Sequence, residues 1–533
     1  MFSLHTHSTY SLLRGTITVE RLIELAVDNK SKYASLTDIN GMYGLIQFAK
    51  IAAAKNIKPI LGALIDDPNN KEYSLICIAR NIEGYAQLTK VITARKLKDD
   101  FSLLKLLDED LSNLFLISSS LEFVREAKDK AKTLSNFYSE LIITRKTKYR
   151  TRKLYEFSKE NGIKYIASHP TYFEKEEDYT LHKLVSSIRT NSTMENIDRE
   201  ELVDEEFYFK SPTELKTIWK NLPEAISNAE YIADKCNVDL EFGEYKFPYF
   251  IKPNNRTAAS ILAELAFKGL SKKISPNSSQ ANHRLHYELN VIDELGFSNY
   301  FLIVWDILRE AKRRRIITIG RGSVADSLVS YALDFTQVDP IKHDLYFERF
   351  LNRGRKSPPD IDIDFSWKER DEMIRYVFDK YGYEKVAMIS TIITFRGRSA
   401  FRETAKAFGI ANHEISKYSK FIPWTAAKNL DKLSQKFPEA KGLNFSKEPW
   451  ISIVKLASRL DSFPHHLSIH PSGIVITPKP ITNYTALEYA SNKGLGMIIT
   501  QLDMYSIEEI GLMKIDLLSQ RSLGVLRDTI GDI

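Results

Sequence analysis

Cysteine is nearly absent: Cys77 and Cys236 are the only two in 533 residues. So few thiols in so long a chain exclude a disulfide-stapled scaffold and read as reduced, packed side chains without a chemical role. Long apolar runs are missing too. No stretch of 18 or more apolar residues occurs, which leaves no candidate for a membrane-spanning helix. The opening "MFSLHTHSTY" has neither the basic leader nor the apolar block of a signal peptide, so the expected location is the cytoplasm. No internal repeat or low-complexity tract stands out. Excess charge of one sign is small, with 75 Lys and Arg against 69 Asp and Glu and a formal net charge of +6. A polyanionic partner must therefore be sought in local patches rather than in the total.

What is present is enough apolar material, 43% of residues, for roughly three or four domains in a chain of this length. Short apolar runs alternate with helical stretches from the start: "MFSLHTH", "TVERLIELAVDN", "YASLTD", "GLIQFAKIAAAKN" and "IKPILGALI". The texture returns at "LFLISS", "SELIITR" and "KYIASH". It predicts parallel βαβ units in one α/β domain over residues 1 to about 240. The segment "FPYFIKPNNRT" (247–257) reads as a linker. Helical patterns follow, and a helix through "YFLIVWDILREAKRRR" ends in Lys312, Arg313, Arg314 and Arg315, which suit the negative end of its dipole. From about 410 to 484 the pattern is mainly helical with loops, "GIVIT" (473–477) being the one strong strand signal.

The stretch "SPPDIDIDF" sets Asp360, Asp362 and Asp364 at alternate positions with Ile361, Ile363 and Phe365 between them. Residues two apart on a strand share a face, so the carboxylates project to one side and the apolar residues to the other. A solvated edge strand is the ordinary explanation of such charges. Against it, neighbouring carboxylates raise one another's pKa values unless a cation compensates them, and no Lys or Arg lies in the strand itself. A pair of Mg²⁺ ions would compensate them and would suit phosphoryl chemistry.

Upstream, Gly320, Arg321, Gly322 and Ser323 begin "GRGSVADS". Two glycines allow backbone N–H groups close to an anion, Ser323 adds a donor, Arg321 adds charge, and the following helical pattern would point its positive end to the same place. Alone this is as well read as a glycine turn before a helix. Arg349, Arg353, Arg355, Lys356, Arg396, Arg398 and Arg402 flank the acidic strand in sequence. Solvated surface charge is their plain explanation, yet carboxylates, a phosphate cradle and many arginines together fit phosphoryl transfer.

The ordered series "LGFSNYFLIVWDIL", "GRGSVADSLVSYAL", "VDPIKHDLYFERFLN", "PPDIDIDF", "HHLSIHPSGIVIT" and "GLMKIDLLSQRSL" resembles the alpha subunit of bacterial DNA polymerase III, the C-family polymerases. "LHTHSTYSLLRGT" is similar to the start of that family's polymerase and histidinol phosphatase (PHP) domain. The resemblance implies an α/β multidomain chain, with a PHP-type barrel-like domain (1–245) followed by a nucleotidyltransferase palm of the polymerase-beta-like type. The palm would be split as 246–409 and 485–533 around a mainly helical thumb (410–484). It further implies Asp360, Asp362 and Asp516 as catalytic, with Asp364 as a companion in holding two Mg²⁺ ions. Gly320, Arg321, Gly322, Ser323 and Lys514 would bind the nucleotide's phosphates. Primer–template DNA and deoxynucleoside triphosphates are the implied partners, together with other replisome subunits or a fingers-containing chain, and no membrane.

Two departures qualify that picture. The PHP metal pattern is incomplete: His5, His7 and Asp38 match, but Ile39, Leu64, Pro170 and Tyr172 stand where further ligands are expected, and His169 and His182 read as structural. A metal in this domain is therefore doubtful. The sequence also stops 17 residues after Asp516, short of the family's fingers, which leaves a fragment, a split polymerase or a truncated relative as alternatives. Two other functions stand as alternatives to DNA polymerase: a PHP-based phosphoesterase or 3′–5′ exonuclease, and a non-catalytic DNA-binding relative.

Overall fold

The computed structural model describes residues 2–250, 256–274, 278–354, 359–440, 442–443, 445–490 and 497–533. Arg355 and Lys356 of the basic flank lie outside the described residues, as do parts of the 247–257 linker. No helix among the described residues is long and apolar enough to cross a membrane. The chain divides into two compact units: Met1–Leu240 with Thr391–Ser468 and Thr482–Gly494, and Glu241–Ser390 with Ile469–Ile481 and Leu495–Ile533.

The first unit holds a six-stranded sheet in sequence order: β1 (Tyr33–Ile39), β2 (Lys58–Asp66), β3 (Ser74–Ala79), β4 (Leu114–Ser118), β5 (Phe137–Ile142) and β6 (Lys164–Ser168). The helix Val19–Asp28 starts where Thr18 accepts a hydrogen bond from the Arg21 amide, and it buries the stripe Val19, Leu22, Ile23, Leu25 and Ala26. The α/β reading holds, but two of its details need correction. The sheet is mixed: β1–β2, β4–β5 and β5–β6 are parallel, whereas β3 runs antiparallel to both β2 and β4. Between β2 and β3 lie only residues 67–73, a Pro- and Asn-containing turn too short for a crossover helix. The segment "MFSLHTH" is not a strand but an extended stretch with one bridge, Thr6 to Thr171. The Thr37 hydroxyl accepts the Thr6 N–H and the Ser3 hydroxyl accepts the His5 N–H, taking groups a ladder would use.

Cys77 and Cys236 are buried and free, their thiols pushed up to about 12 by burial. His169 and His182 serve the core. His182 Nδ1 donates to the Arg14 carbonyl (2.8 Å) while Nε2 accepts from the Val203 amide (3.2 Å), and His169 Nε2 lies 3.0 Å from the Tyr208 carbonyl. Burial lowers both imidazoles to about 4. A histidine depressed on folding gives stability that is complete above its unfolded pKa of about 6.5 and is lost as pH falls towards the folded value, up to roughly 3 kcal/mol each. The melting temperature should therefore fall between pH 7 and pH 4.5, and a His169→Gln/His182→Gln variant should show a flatter slope. An unchanged slope would contradict a structural role for this pair.

Residues Thr391–Ser468 of this unit are mainly helical, with helices Gly397–Ala407, Asn412–Ser419 and Trp450–Ser458. Phe395, Phe401, Ile415, Ile453 and Leu460 share a core with Leu181, Leu184 and Val185. The strand foreseen at 473–477 begins earlier, at Pro464, because "PHHLSIHPSG" mixes His, Ser and Pro in a way that hides its alternation.

The second unit is built on β7 (Thr318–Arg321), β8 (Asp362–Ser366), β9 (Val386–Thr394) and β10 (Pro464–Ile476), of which residues 386–390 of β9 and 469–476 of β10 belong to it. After the short β11 (Leu487–Tyr489) of the first unit come β12 (Ile498–Asp503) and β13 (Lys514–Gln520). Within this unit the strands lie in the order β12-β9-β10-β13-β8-β7. Ile363 and Phe365 of β8, Ile361 just before it, and Ile515 and Leu517 of β13 are buried, which anchors both acidic strands. The basic end of the helix Ser298–Arg313 is ion-paired as well as dipole-matched: Lys312 to Asp334 (2.9 Å), and Arg313 and Arg314 to Glu310 (2.6 Å each).

Candidate active site

Pairing within this sheet brings the acidic residues together. β13 runs parallel to β8 with Asp516 opposite Asp362, β7 runs antiparallel to β8 with Arg321 opposite Asp362, and β10 pairs with β13 so that Gly473 faces Asp516. Directly opposed residues of neighbouring strands share a face. Arg321, Asp362, Asp516 and Gly473 therefore form one row across four strands. Asp360 precedes the strand and is exposed, Asp362 and Asp516 are half-buried, and Asp364 is buried.

The electrostatics follow from that row. Asp362 is held above the ordinary carboxylate range, first by burial and then by the charges of Asp516 and Asp360, against the pull of Arg321 and Lys514. Asp516 accepts from the Ser472 hydroxyl (2.7 Å) and pairs with the Lys514 ammonium (3.0 Å). Burial pulls Lys514 down, but Asp516, Glu508 and Asp360 around it leave it raised overall. Glu508, at the end of the helix Met504–Glu509, is itself raised by partial burial and by Asp360 and Asp516. Beneath them Tyr300 is fully buried, donates to the Lys514 carbonyl (3.3 Å), and is raised by burial and by the charges of Asp516, Asp360 and Asp362.

Asp364 stands apart from this cluster. It lies 3.7 Å from Arg321 and accepts from the Gln520 amide at 3.4 Å, which makes it an anchor of the Arg321 guanidinium.

The glycine loop keeps its turn but not its helix. Gly322 has φ +69°, a left-handed conformation that favours glycine, and a Cβ on Gly320 would lie 2.1 Å from the Phe335 carbonyl oxygen. A 3₁₀ helix spans Gly322–Asp326, while the α-helix begins only at Leu328, runs five residues, and has its N-terminus already filled by Glu288. The Glu288 carboxylate accepts from the Leu328 and Val329 amides (3.0 Å each) and the Ser327 hydroxyl (2.8 Å), and pairs with Arg284 (2.9 Å). The expected helix dipole is thus unavailable to a ligand, and what Gly320–Ser323 offer is the turn, the Ser323 hydroxyl and Arg321.

The other sequence-marked groups sit elsewhere. Arg349 faces Asp326 (3.8 Å) and Arg353 pairs with Glu294 (2.7 Å). Arg396, Arg398 and Arg402 belong to the first unit, where Arg398 donates to the Ile422 carbonyl (2.7 Å) and Arg402 to Ser419 (3.1 Å).

In the same unit His5, His7 and Asp38 do gather. His5 Nδ1 is 2.8 Å from Glu140, His7 Nδ1 is 3.1 Å from Ser11, and Asp38 accepts from Ser8 and Ser11 (2.5–2.7 Å). Both histidines keep a buried Nε2 without a hydrogen-bond partner, and the Tyr172 ring lies 4.1 Å from that of His7. Among the described residues no group of three or more His, Cys, Asp or Glu side chains is arranged to hold a metal ion.

Sequence reasoning passed over Glu140, Glu288, Tyr300, Ser472 and Glu508. A lone glutamate inside "YSELII" was a usable signal for Glu140. Glu288 and Glu508 sit in helical stretches whose composition gives none.

Comparison with known proteins matches residues 260–519 to the family model described as bacterial DNA polymerase III alpha NTPase domain, and residues 3–140 to the PHP domain. The DNA polymerase III subunit alpha of Bacillus subtilis (strain 168) is 32% identical over 98% of this chain and 48% of its own length. That of Borreliella burgdorferi is 33% identical over 98% and 49%. The error-prone DNA polymerase of Symbiobacterium thermophilum is 31% identical over 99% and 52%. A solved amidohydrolase from Chromobacterium violaceum matches 32% of this chain and 87% of its own at 13% identity, with a TM-score of 0.24 too low to support any conclusion. The chain spans about half the length of the curated relatives it matches. The chain thus carries the PHP domain and the bacterial DNA polymerase III alpha NTPase domain, and it aligns over nearly its whole length with relatives named DNA polymerase III subunit alpha.

Proposed function

We propose that this protein is a catalytic chain of a DNA-directed DNA polymerase, joining deoxynucleoside triphosphates to a primer 3′-hydroxyl under a template's direction in replication. The observation that carries the reading is the opposition of Asp362 and Asp516 across β8 and β13, with Asp360 beside them. Three carboxylates whose repulsion is only partly offset by Arg321 and Lys514 are a donor set suited to hard divalent cations such as Mg²⁺. Asp360, Asp362 and Asp516, which in this structure are not drawn together as a set of three ligands, would close up to hold them. When bound, two such ions supply charge neutralisation and an acidified primer hydroxyl.

The chain's own residues do the rest. Lys514, 3.0 Å from Asp516, holds that carboxylate while the site is empty of substrate and becomes a phosphate partner when it is not. Ser472 fixes the orientation of Asp516, and Asp364 with Gln520 aims the Arg321 guanidinium. Gly320 and Gly322 let the backbone approach phosphate oxygens that Arg321 and Ser323 would contact. In this reading residues 246–409 and 485–533 supply the palm and 410–484 the thumb, in a cytoplasmic protein acting with other replisome subunits.

The test is a primer–template assay with Mg²⁺, run by the chain alone and joined to the remaining length of a relative, and scored for extension and 3′-end loss together. Extension supports the reading. Degradation without extension would favour a PHP-based nuclease, and duplex binding with neither would favour a non-catalytic relative.

Duplex binding itself should be weak and steeply salt-dependent. Its phosphate contacts are assigned to exposed basic groups such as Arg396 and Arg398, and to Lys356 outside the described residues. Each phosphate neutralised adds about −0.9 to the slope of log K against log salt. A salt-independent affinity, measured by fluorescence anisotropy, would contradict a backbone-reading surface.

A further inference from the structure

The row Arg321, Asp362, Asp516 ends at Gly473, which has no side chain to offer. The place is filled by a neighbour in sequence. A Cβ built on Gly473 would lie 2.9 Å from His470 Nδ1 and 3.4 Å from its Cγ. That Cβ direction belongs to the face carrying the Asp516 side chain, because the two residues are opposed across β10 and β13. The His470 imidazole therefore lies over the Gly473 backbone on the acidic face, next in the row after Asp516.

The ring is held there in one tautomer. Nδ1 accepts the Gly473 N–H at 2.8 Å and the Ser472 N–H at 3.3 Å. A neutral imidazole nitrogen that accepts carries no proton, so the ring's N–H is at Nε2. Arg370 ties the residue after His470 to the neighbouring strand, donating to the Pro471 carbonyl (2.6 Å) and to the Leu517 carbonyl of β13 (2.8 Å). On the side away from Asp516, Ile389 of β9 is 3.2 Å from the same built Cβ. Backbone, the Arg370 tie and β9 thus fix the imidazole, while Nε2–H has no acceptor assigned to it among the described residues. Gly473 is required by this arrangement, since any larger residue would strike the ring.

We propose that His470 is a substrate-contacting residue: its Nε2–H donates a hydrogen bond to a phosphoryl oxygen of the incoming nucleotide's polyphosphate, on the Asp516 side of the site. This rests on the polymerase reading. A phosphoryl oxygen is the acceptor such a site lacks, and a neutral donor binds it without competing with cations for the carboxylates. The polyphosphate is preferred to the primer's own phosphates because Lys514 and Arg321, the neighbouring cations, serve the same row.

Two conservative variants separate contact from support. His470→Asn keeps an oxygen near Nδ1 to receive the Gly473 N–H but has no donor near Nε2, whereas His470→Gln places an amide N–H close to Nε2. Calorimetric titration of the full chain with dATP and Mg²⁺ should show about tenfold weaker binding for His470→Asn and recovery to within about threefold for His470→Gln. Melting temperature and primer–template affinity should stay unchanged in both.

Wild-type dATP affinity in His470→Asn would overturn the proposal, as would equal losses in both variants, which would mark a structural role. Weakened primer–template binding with unchanged dATP binding would assign the donor to the primer's phosphate instead and overturn the polyphosphate contact. Normal primer extension beside an unaffected His470→Asn removes this inference and leaves the polymerase reading standing. No dATP binding by the wild type, with no extension, removes both.

Discussion

Asp362→Asn should reduce nucleotide incorporation by on the order of 10³-fold or more while the protein melts at the same or a higher temperature. The two halves of this result share one cause. Asp362 sits where Arg321 and Asp516 oppose it on neighbouring strands, and its carboxyl is held above the ordinary range by burial and by Asp516 and Asp360. A carboxyl raised on folding favours the folded state only while protonated, so its ionised form at neutral pH costs stability. Asparagine keeps the shape and removes that cost. It also removes a cation-holding charge, and charge stabilisation of that kind is worth several kcal/mol of barrier. Rapid-quench incorporation and calorimetric melting, measured on the same preparation, check both halves. Incorporation at the parent rate would remove Asp362 from the centre, and a large fall in melting temperature would recast it as a structural anchor.

Glu288→Ala should be among the most destabilising single changes in the second unit, by about 3–5 kcal/mol, seen as a fall of roughly 10 °C in its melting transition. The carboxylate is completely buried and receives the Leu328 and Val329 amides, the Ser327 hydroxyl and the Arg284 guanidinium. Alanine leaves the two amides and the hydroxyl without this acceptor and Arg284 with the Asp326 carbonyl alone, and each unsatisfied buried donor carries a desolvation penalty. Glu288→Gln, which retains one carbonyl oxygen, should lie between the two. Because Arg284 also donates to the Asp326 carbonyl (2.7 Å) behind Gly322–Asp326, the loop that carries Arg321 should loosen as well. A melting temperature within 2 °C of the parent, an allowance of about 1 kcal/mol, would show that this acceptor is dispensable.

How far the sequence could be read differs residue by residue. The alternation in "DIDIDF" and "KIDLL" foretold which side of each strand is buried, since a period of two leaves little choice once Ile and Phe must enter a core. It could not foretell that Asp362 would stand opposite Asp516, 154 positions later, because register across a parallel pair is set by the strands between and around them. The glycine loop was legible as a turn, from Gly322, and misleading as a helix start. The residue that fills that helix end, Glu288, comes from 40 positions upstream, where nothing in "HYELNVIDEL" marks it. The N-terminal "HTH" pattern misleads as a strand, because serine and threonine hydroxyls take the His5 and Thr6 N–H groups and leave a single bridge to Thr171. β3 was missed because seven residues of turn were not recognised as enough to reverse the chain.

Asp360, together with Asp362 and Asp516 opposed across β8 and β13, is proposed to form a template-directed nucleotidyl transfer centre. Single-nucleotide addition tests it most directly: four primer–templates differing only in the first templating base, each offered the four deoxynucleoside triphosphates separately with Mg²⁺, using the chain joined to the remaining length of a relative. The complementary nucleotide should be added in each case, and Asp362→Asn and Asp516→Asn should each abolish that addition. Addition that ignores the templating base, or that survives both substitutions, would contradict the proposal.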